Sequence, residues 1–413
     1  MVEQRSTCKV GWEKQAGPDI SVAADPKVRT VMAVRVYQSN GRYGSASGIA
    51  SSEAAVRKLV GSAAERSRNV EAAVGYGPAD RYALQDKGLG LFDRRHPQLT
   101  EDARVDVLKE NIEGARSVSG AEPLGFHYLE EVVHRRVVSS GGLGQYERST
   151  NYTLTGRVQH GEHMVGQSVY SRHFADVASL PLGADIANQV VRYVQPSDHP
   201  SGPTVLVIEP RVVAKIMEAV VPAFDRRLVD AGKSFLHDGQ RIGSQKLHMV
   251  DDALQFGGVQ TRSFDDRGVP ALDLPLIREG EVGALYMSVE DAHEHDARPS
   301  GHEHNDKLWP GNLLLRPGTR SRNMMFPELG EFIILDELVG QGSSWFNLRK
   351  GTLTLTGHYF SSDSGSKPAY IGVRTIRTKF RDLWSGIQEV GNDQQRHGFV
   401  DVSTWVVDGL SLD

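Results

Sequence analysis

The sequence predicts an α+β protein with two domains. The N-terminal domain combines a β-hairpin, helices and long antiparallel strands, and the C-terminal domain is mostly β and barrel-like. Three observations support this prediction: an alternating apolar run before a turn near residue 40, two long alternating runs around the glycines at 141–144, and many short β-type runs after Ser234. We expect a polar N-terminal segment at 1–26, domains at 27–195 and 204–413, and a linker at 196–203.

The N-terminal domain opens with a predicted hairpin. Residues 28–36 alternate between apolar and polar side chains, and Asn40-Gly41 follows at the position of a two-residue turn. Ser51-Ser52-Glu53 supplies a helix start, and the apolar spacing that follows it predicts a helix to about Arg68.

A second helix and two long strands come next. Thr100 is the predicted cap of a helix that extends through Ala115. Residues 126–138 and 145–158 alternate in a manner typical of strands with one solvated and one buried face. The polar positions of the second strand are Glu147, Ser149, Asn151 and Thr153. A third helix over 182–194 completes this domain.

The C-terminal domain begins with a predicted strand at 204–208, followed by a helix that Pro222 should kink or end. Short β-type runs fill the remainder, with one more helix predicted at 380–387. The polar segment at 1–26 should fray unless it docks on a partner.

Composition excludes several classes of protein. The formal net charge is −5 and no basic run stands out, which argues against a nucleic-acid partner. No apolar run approaches the ~20 residues of a membrane-spanning helix. The single cysteine, Cys8, excludes an intramolecular disulfide. The first residues lack the apolar core of a signal peptide, and we expect a cytoplasmic protein.

Two His-Glu-His triplets, at 293–295 and 302–304, form the most conspicuous constellation. On a strand, residues two apart share a face, so His293 with His295 and His302 with His304 could each offer two imidazoles to a metal. Carboxylate ligands would come from Asp291, Asp296 or Asp306. The alternative is a set of solvated loop histidines, because the surrounding sequence is polar and rich in turn formers.

Established catalytic signatures are absent from the sequence. Neither His293 nor His302 begins a His-Glu-x-x-His motif or its longer variant, so the helical zinc-peptidase arrangement is excluded. Gly232-Lys233-Ser234 lacks the first glycine of a phosphate-binding loop. The pairs Asp251-Asp252 and Asp265-Asp266 could act as acids and bases, although adjacent Asp residues more often form turns.

An ordered series of short motifs resembles the TldD/PmbA family, also called modulators of DNA gyrase. The series comprises Phe235 to Ser244, Val250-Asp251-Asp252, Phe264-Asp265-Asp266-Arg267-Gly268-Val269-Pro270, Leu276 to Gly280, Arg298 to His302, Asn312-Leu313, Pro317-Gly318, Gly340 to Thr356 and Ile387 to Asp393. Arg267 stands where the family turn usually has Glu, and Gly357 to Phe360 replaces the usual Gly-Asp-Phe-Ser.

The resemblance implies an α+β N-terminal domain, a β-rich C-terminal domain and a two-subunit peptidase. In such assemblies the TldD-type subunit carries His-Glu-x-x-x-His and a downstream cysteine as zinc ligands, whereas the PmbA or TldE type carries neither. This chain lacks both signatures and so resembles the second type. The resemblance also makes Asp265, Asp266, His302 and Asn312 candidates for the wall of a peptide-binding chamber.

Three functional hypotheses follow. The leading one is a non-catalytic subunit that holds an extended peptide by its backbone while a TldD-type partner supplies zinc. Under this leading hypothesis we expect no cofactor in this chain and zinc in the partner subunit. The second is an autonomous metal-dependent enzyme that uses His293, His295, His302 and His304. The third is a homodimeric peptide-binding protein without peptidase activity.

Overall fold

The computed structural model describes residues 1–39, 42–69, 88–197, 202–304, 307–340, 345–363 and 367–412. Helices and strands are both abundant, which confirms the predicted α+β class. The helices are α1 (Glu53–Asn69), α2 (Glu101–Arg116), α3 (Phe174–Ala178), α4 (Leu182–Val190), α5 (Pro210–Val220), α6 (Arg226–Asp230), α7 (Val289–Glu294), α8 (Arg322–Met325) and α9 (Phe380–Ser385).

The first sheet is antiparallel, and its six strands lie in the order β3-β2-β1-β4-β5-β6. They are β1 (Val2–Glu13), β2 (Ser21–Tyr37), β3 (Tyr43–Ile49), β4 (Glu122–Val138), β5 (Gly144–His160) and β6 (His163–Ser171). Strands β2 and β3 pair from Val31 with Ile49 to Tyr37 with Tyr43, which confirms the predicted hairpin. Asn40 and Gly41 lie outside the described residues.

The N-terminal segment is part of this sheet. Strand β1 pairs with β2 on one side and with β4 on the other, so it is a central strand. The expectation that this segment frays is therefore wrong for β1. The segment reads as polar because Glu3 and Arg5 line a cavity, while Val10 and Trp12 on the opposite face are buried in the core.

Helices α2 and α4 cover one face of the first sheet. The predicted caps are confirmed: Thr100 Oγ1 accepts a hydrogen bond from the Ala103 N–H at 3.2 Å, and Ser52 Oγ accepts one from the Ala55 N–H at 3.2 Å. Leu108 of α2 and Ile186 of α4 are fully buried in a cluster that includes Phe126. Helix α4 ends at Val190, before the predicted end at 194.

The second half of the chain contributes two further sheets and a hairpin. One sheet follows the order β10-β9-β8-β13-β20-β19, and the other follows β15-β16-β14-β7-β21-β18 with β17 beside β16. Their strands are β7 (Gly202–Ile208), β8 (Met249–Asp252), β9 (Asp273–Arg278), β10 (Glu281–Val282), β13 (Asn312–Leu315), β14 (Phe332–Leu338), β15 (Phe346–Asn347), β16 (Thr352–Ser362), β17 (Ala369–Lys379), β18 (Ile387–Val390), β19 (Gln395–His397), β20 (Val400–Val402) and β21 (Trp405–Leu412). The hairpin is β11 (Glu303–His304) with β12 (Lys307–Leu308).

Helix α5 packs its apolar stripe inside the second half, where Val213, Ile216 and Met217 are fully buried. Pro222 ends its regular part as predicted, because a 3-10 turn over Val221–Phe224 follows directly. One hydrophobic cluster fills this half, and the cluster beneath α2 and α4 continues into it through Val207 and Phe332. The two halves therefore share a core, and the boundaries at 195 and 204 stay predictions.

None of the helices in the described parts of the chain combines the length and the apolar character that a bilayer-spanning helix needs.

Candidate functional site

An open cavity of about 720 Å³ lies between the first sheet and loops of the second half. The odd-numbered side chains of β1, β4 and β5 form one wall, on the face opposite α2 and α4. Residues 259–262, His304, Trp309 and the turn at 398–399 form the other wall. The volume is within the range of ordinary ligand pockets.

The polar face of β5 belongs to this cavity. Glu147 and Ser149 are 9% and 8% exposed, so the predicted solvated face is wrong at these two positions. Asn151 and Thr153 are half-buried and also line the cavity. Alternation of polar and apolar residues shows which side chains share a face of a strand. It does not show whether the polar face lies against bulk solvent or against an internal cavity.

Arg172 fastens the first sheet to the loop that forms the opposite wall. Its Nε donates to the Gly258 carbonyl at 3.1 Å, and its Nη2 donates to the Thr261 carbonyl at 3.0 Å. Its Nη1 donates to Asn151 Oδ1 at 2.6 Å and to the Thr150 carbonyl at 3.2 Å. Burial lowers the pKa of Arg172, and Glu147 partly opposes this effect. The side chain thus fixes the width of the cavity at this end.

Arg135 of β4 makes a second contact between the walls. Its Nη2 donates to the Phe264 carbonyl at 2.7 Å, and its guanidinium lies 5.1 Å from the centre of the Phe264 ring. Carboxylates of Glu147 and Asp266 lie 3.4 and 3.5 Å away. Its Nε is buried without a hydrogen-bond partner.

Asp265, a predicted wall residue, is a turn former. Its carboxylate accepts backbone N–H bonds from Arg267 at 2.8 Å, Val269 at 3.0 Å and Glu303 at 3.2 Å. Burial raises the pKa of Asp265, although these N–H donors favour its charged form. Gly268 completes the turn with a φ of 80°, a conformation that favours glycine.

Asp266 lies beside the cavity rather than in its lining. Its Oδ2 is 3.2 Å from His304 Nδ1, and it also faces Arg135. A second open cavity of about 600 Å³, between the β2–β3 hairpin and the β4–β5 turn, is lined by Asp266 and Arg267. Asp266 therefore stands between two cavities.

Asn312 positions a loop. Its Nδ2 donates to Thr261 Oγ1 at 2.9 Å and to the Asp252 carbonyl at 2.9 Å, and its Oδ1 accepts from the Gln260 N–H at 3.1 Å. Gln260 and Thr261 line the cavity, whereas Asn312 does not. Asn312 therefore holds the cavity wall in place through hydrogen bonds to these two residues.

The predicted strand geometry of the first His-Glu-His triplet is wrong. His293 and Glu294 lie in α7, whose start is fixed by a capping box between Ser288 and Asp291. His295 follows the helix, and its Nε2 is 2.9 Å from Asp230 Oδ2.

The second triplet places its histidines in different surroundings. His302 is fully buried, with Nδ1 at 2.7 Å from the Ser300 carbonyl and Nε2 at 3.5 Å from Asp251 Oδ2. Asp251 is itself held by the Tyr286 hydroxyl at 2.6 Å and the Gly311 N–H at 2.8 Å. His304 instead faces the cavity and Asp266. Asp306 lies outside the described residues.

The described residues do not fit a zinc site. Within the described ranges, no group of three or more His, Cys, Asp or Glu side chains is arranged to hold a metal ion. His302 Nε2 makes no hydrogen bond within the described part of the chain, and it lies 3.5 Å from one carboxylate, that of Asp251, which already accepts from the Tyr286 hydroxyl. Zinc sites need three or four converging ligands.

The cavity residues that sequence reasoning missed include Arg172, Arg262 and Glu218. Each lies in a different element, and no motif connects them. Glu218 of α5 is half-buried and makes no hydrogen bond or ion pair among the described residues. Burial raises the pKa of Glu218 to about 7, and nearby Lys215 only partly opposes this because Lys215 pairs with Glu337.

We expect the variant Glu218→Gln to stabilise the protein at pH 8 by about 1–2 kcal/mol, and to have little effect near pH 4.5. The pKa of this carboxyl is raised from 4.5 to about 7 in the folded state, so the cost of the buried charge is full above pH 7 and disappears below 4.5. Thermal unfolding across this pH range measures the difference. Glu331→Gln, at an exposed position, is the control. Equal effects at both pH values would contradict the expectation.

Comparison with known proteins gives concordant results. The family model "PmbA/TldA metallopeptidase C-terminal domain" matches residues 201–413. The metalloprotease PmbA of Escherichia coli O157:H7 is 24% identical over 387 residues, which cover 88% of this chain and 81% of that protein. A metalloprotease of Methanothermobacter thermautotrophicus is 30% identical over 160 residues, covering 37% of this chain and 34% of that protein.

Solved structures share the fold. A putative modulator of DNA gyrase from Thermotoga maritima superposes with a TM-score of 0.88 at 18% identity, covering 100% of this chain and 95% of that chain. TldE from Thermococcus kodakarensis gives a TM-score of 0.84 at 18% identity, with the same coverage. The matched family model spans more than half of the chain, and the chain therefore belongs to the PmbA/TldD family of metallopeptidase-like proteins.

Proposed function

We propose that this chain is a non-catalytic subunit of a PmbA/TldD-type zinc metallopeptidase. It forms a chamber that binds an extended peptide, and a partner subunit with a His-Glu-x-x-x-His motif supplies the zinc and the hydrolysis. The carrying observation is the open cavity between the first sheet and the 259–262 loop, which is polar, lined by strands, and large enough for a few peptide residues.

Two further observations support the proposal. A relative that covers 88% of this chain is named a metalloprotease, and a structural neighbour is named TldE. The histidines that could have offered ligands have structural partners instead: His295 contacts Asp230, and His302 contacts Ser300 and Asp251. The sequence has no His-Glu-x-x-x-His motif.

Reconstitution with a TldD-type protein from the same genome tests this function. We expect the two chains to co-purify, and the mixture to hydrolyse an unstructured peptide while each chain alone is inactive. Metal analysis should find zinc in the mixture in proportion to the partner, and none held stoichiometrically by this chain.

Two controls separate the competing functions. A partner variant with its motif Glu changed to Gln should abolish hydrolysis but keep the complex. Zinc-dependent hydrolysis by this chain alone, lost in the double variant His302→Ala and His304→Ala, would overturn the proposal in favour of an autonomous enzyme. A stable homodimer that forms no complex with a TldD-type protein would favour the third hypothesis, a peptide-binding protein without peptidase activity.

A further inference from the structure

The guanidinium of Arg262 is buried without a counterion. The residue is 6% exposed, and it lines the 720 Å³ cavity. Among the described residues its side chain makes one hydrogen bond, from Nη2 to the Trp309 carbonyl at 2.5 Å. Its Nε is buried without a partner, and no carboxylate of the described residues lies within 4.0 Å of its nitrogens. The carboxylates that act on it from farther away include Asp251 and Asp265.

An ion in this position is costly to the free protein. A buried charge is normally paired, because transfer from water to the protein interior must be offset by a nearby opposite charge. Burial accordingly lowers the pKa of Arg262. An anion in the cavity would supply the missing charge on the side of the guanidinium that faces the cavity, where Nη1 makes no hydrogen bond among the described residues.

The neighbouring arginines limit the ligand's charge. Arg135 already faces Glu147 and Asp266, and Arg172 uses its nitrogens on carbonyl and amide oxygens. Of these three arginines, Arg262 alone has neither a carboxylate within 4.0 Å nor a hydrogen bond from each of its nitrogens among the described residues. A dianion would be repelled by Glu147 and Asp266, whereas a single carboxylate matches one guanidinium.

We propose that Arg262 binds a carboxylate of the peptide held in the chamber, either its C-terminal carboxylate or the side chain of an acidic residue. This inference rests on the proposed function, since it names the feature of the peptide that the chamber recognises. Arg135 lines the same cavity, so its positive charge also favours an anionic group there.

Four unstructured pentapeptides built from Ala and Gly, each blocked at its N-terminus, distinguish a C-terminal carboxylate from a side-chain carboxylate. The first has a free C-terminal carboxylate, the second is its C-terminal amide, the third is an amide with a central Asp, and the fourth is an amide with a central Asn. Binding to the full chain is measured by calorimetry. We expect the preferred carboxylate peptide to bind roughly 10- to 100-fold more tightly than its neutral match.

Variants assign this preference to Arg262. In Arg262→Gln the ratio of affinities between the carboxylate peptide and its neutral match should fall to about 1, with affinity for the neutral amide peptides unchanged. Arg262→Lys should keep part of the preference for the carboxylate peptide. Arg262→Gln should also unfold at a higher temperature than the wild type without ligand, because an unpaired buried charge is removed; a merely structural arginine would give the opposite. Arg241→Gln is the control, because Arg241 is paired with Glu281 and does not line the cavity.

The outcomes separate this inference from the proposed function. Equal affinity for acidic and neutral peptides, or a preference that persists in Arg262→Gln, overturns the carboxylate site and leaves the chamber intact. Absence of peptide binding by this chain, with peptidase activity in the reconstituted mixture, also overturns the site alone. If the chain neither binds peptides nor supports a partner's activity, the proposed function fails as well.

Discussion

Arg172→Met should lower the free energy of unfolding by about 3–5 kcal/mol, the largest loss that we expect from an arginine of this chain. The substitution removes a donor from each of the Gly258 and Thr261 carbonyls, whose bonds to Arg172 are buried, and from Asn151 Oδ1. Release of the buried charge offsets only part of this loss. The midpoint of urea unfolding measures the change.

Arg157→Met is the matched control, because Arg157 belongs to the same sheet but its side chain is 43% exposed and paired with Glu13. An exposed pair of this kind contributes about 0–1 kcal/mol. A loss in Arg172→Met no larger than the loss in the control would show that the 258–261 loop is held by other contacts. Hydrogen exchange of that loop provides an independent check, with faster exchange expected only in Arg172→Met.

Asp336→Asn should destabilise the protein by about 3 kcal/mol at pH 7. Asp336 of β14 is fully buried and accepts from Tyr193 at 2.7 Å, Gln189 at 3.0 Å and Arg211 at 3.2 Å. An amide of the same shape places a donor against these donors and removes the charge that balances Arg211. Burial opposes ionisation, but the two arginines at 192 and 211 hold the pKa of Asp336 below its usual value.

The effect of Asp336→Asn should depend on pH in a defined direction. A carboxyl whose pKa is lowered in the folded state stabilises that state above its unfolded pKa of about 3.8, and the contribution is lost as pH falls below that value. The difference measured by urea titration should therefore be smaller at pH 3 than at pH 7. Asp238→Asn, at a 60% exposed position paired with Arg226, is the control. A pH-independent loss would mean that packing around the side chain, and not its charge, is responsible.

Local patterns predicted the elements whose causes are local. The caps at Ser52 and Thr100 and the termination of α5 before Pro222 depend on groups a few residues apart in sequence, and each was predictable. The short helix α7 carried a readable signal too, because Ser288 and Asp291 have capping-box spacing. The His-Glu-His pattern at 293–295 was interpreted as a possible metal-binding strand, and the capping-box spacing before it was not used.

The candidate site was less accessible to sequence reasoning because its parts come from distant segments. Arg135, Arg172 and Arg262 approach one another only when the long strands fold against the 259–262 loop. The motif residues Asp265 and Asn312 were recognisable, yet they hold the turn and the loop from behind, while unremarkable arginines face the cavity. Strand β1 was missed for a related reason, since a strand that lines a polar cavity looks like a solvated segment.

The position of β7 has a consequence for how the chain folds during synthesis. This apolar strand has β14 as its parallel neighbour and β21 as its antiparallel neighbour, with Ile208 opposite Trp405. One edge of β7 thus stays open until β14 at 332–338 has been synthesised, and the other edge stays open until β21 at 405–412 has been synthesised. Pairing across such a sequence separation is slow, and an open apolar edge invites wrong partners. We expect nascent chains of this protein to need chaperones, and slow translation or low temperature to improve its yield.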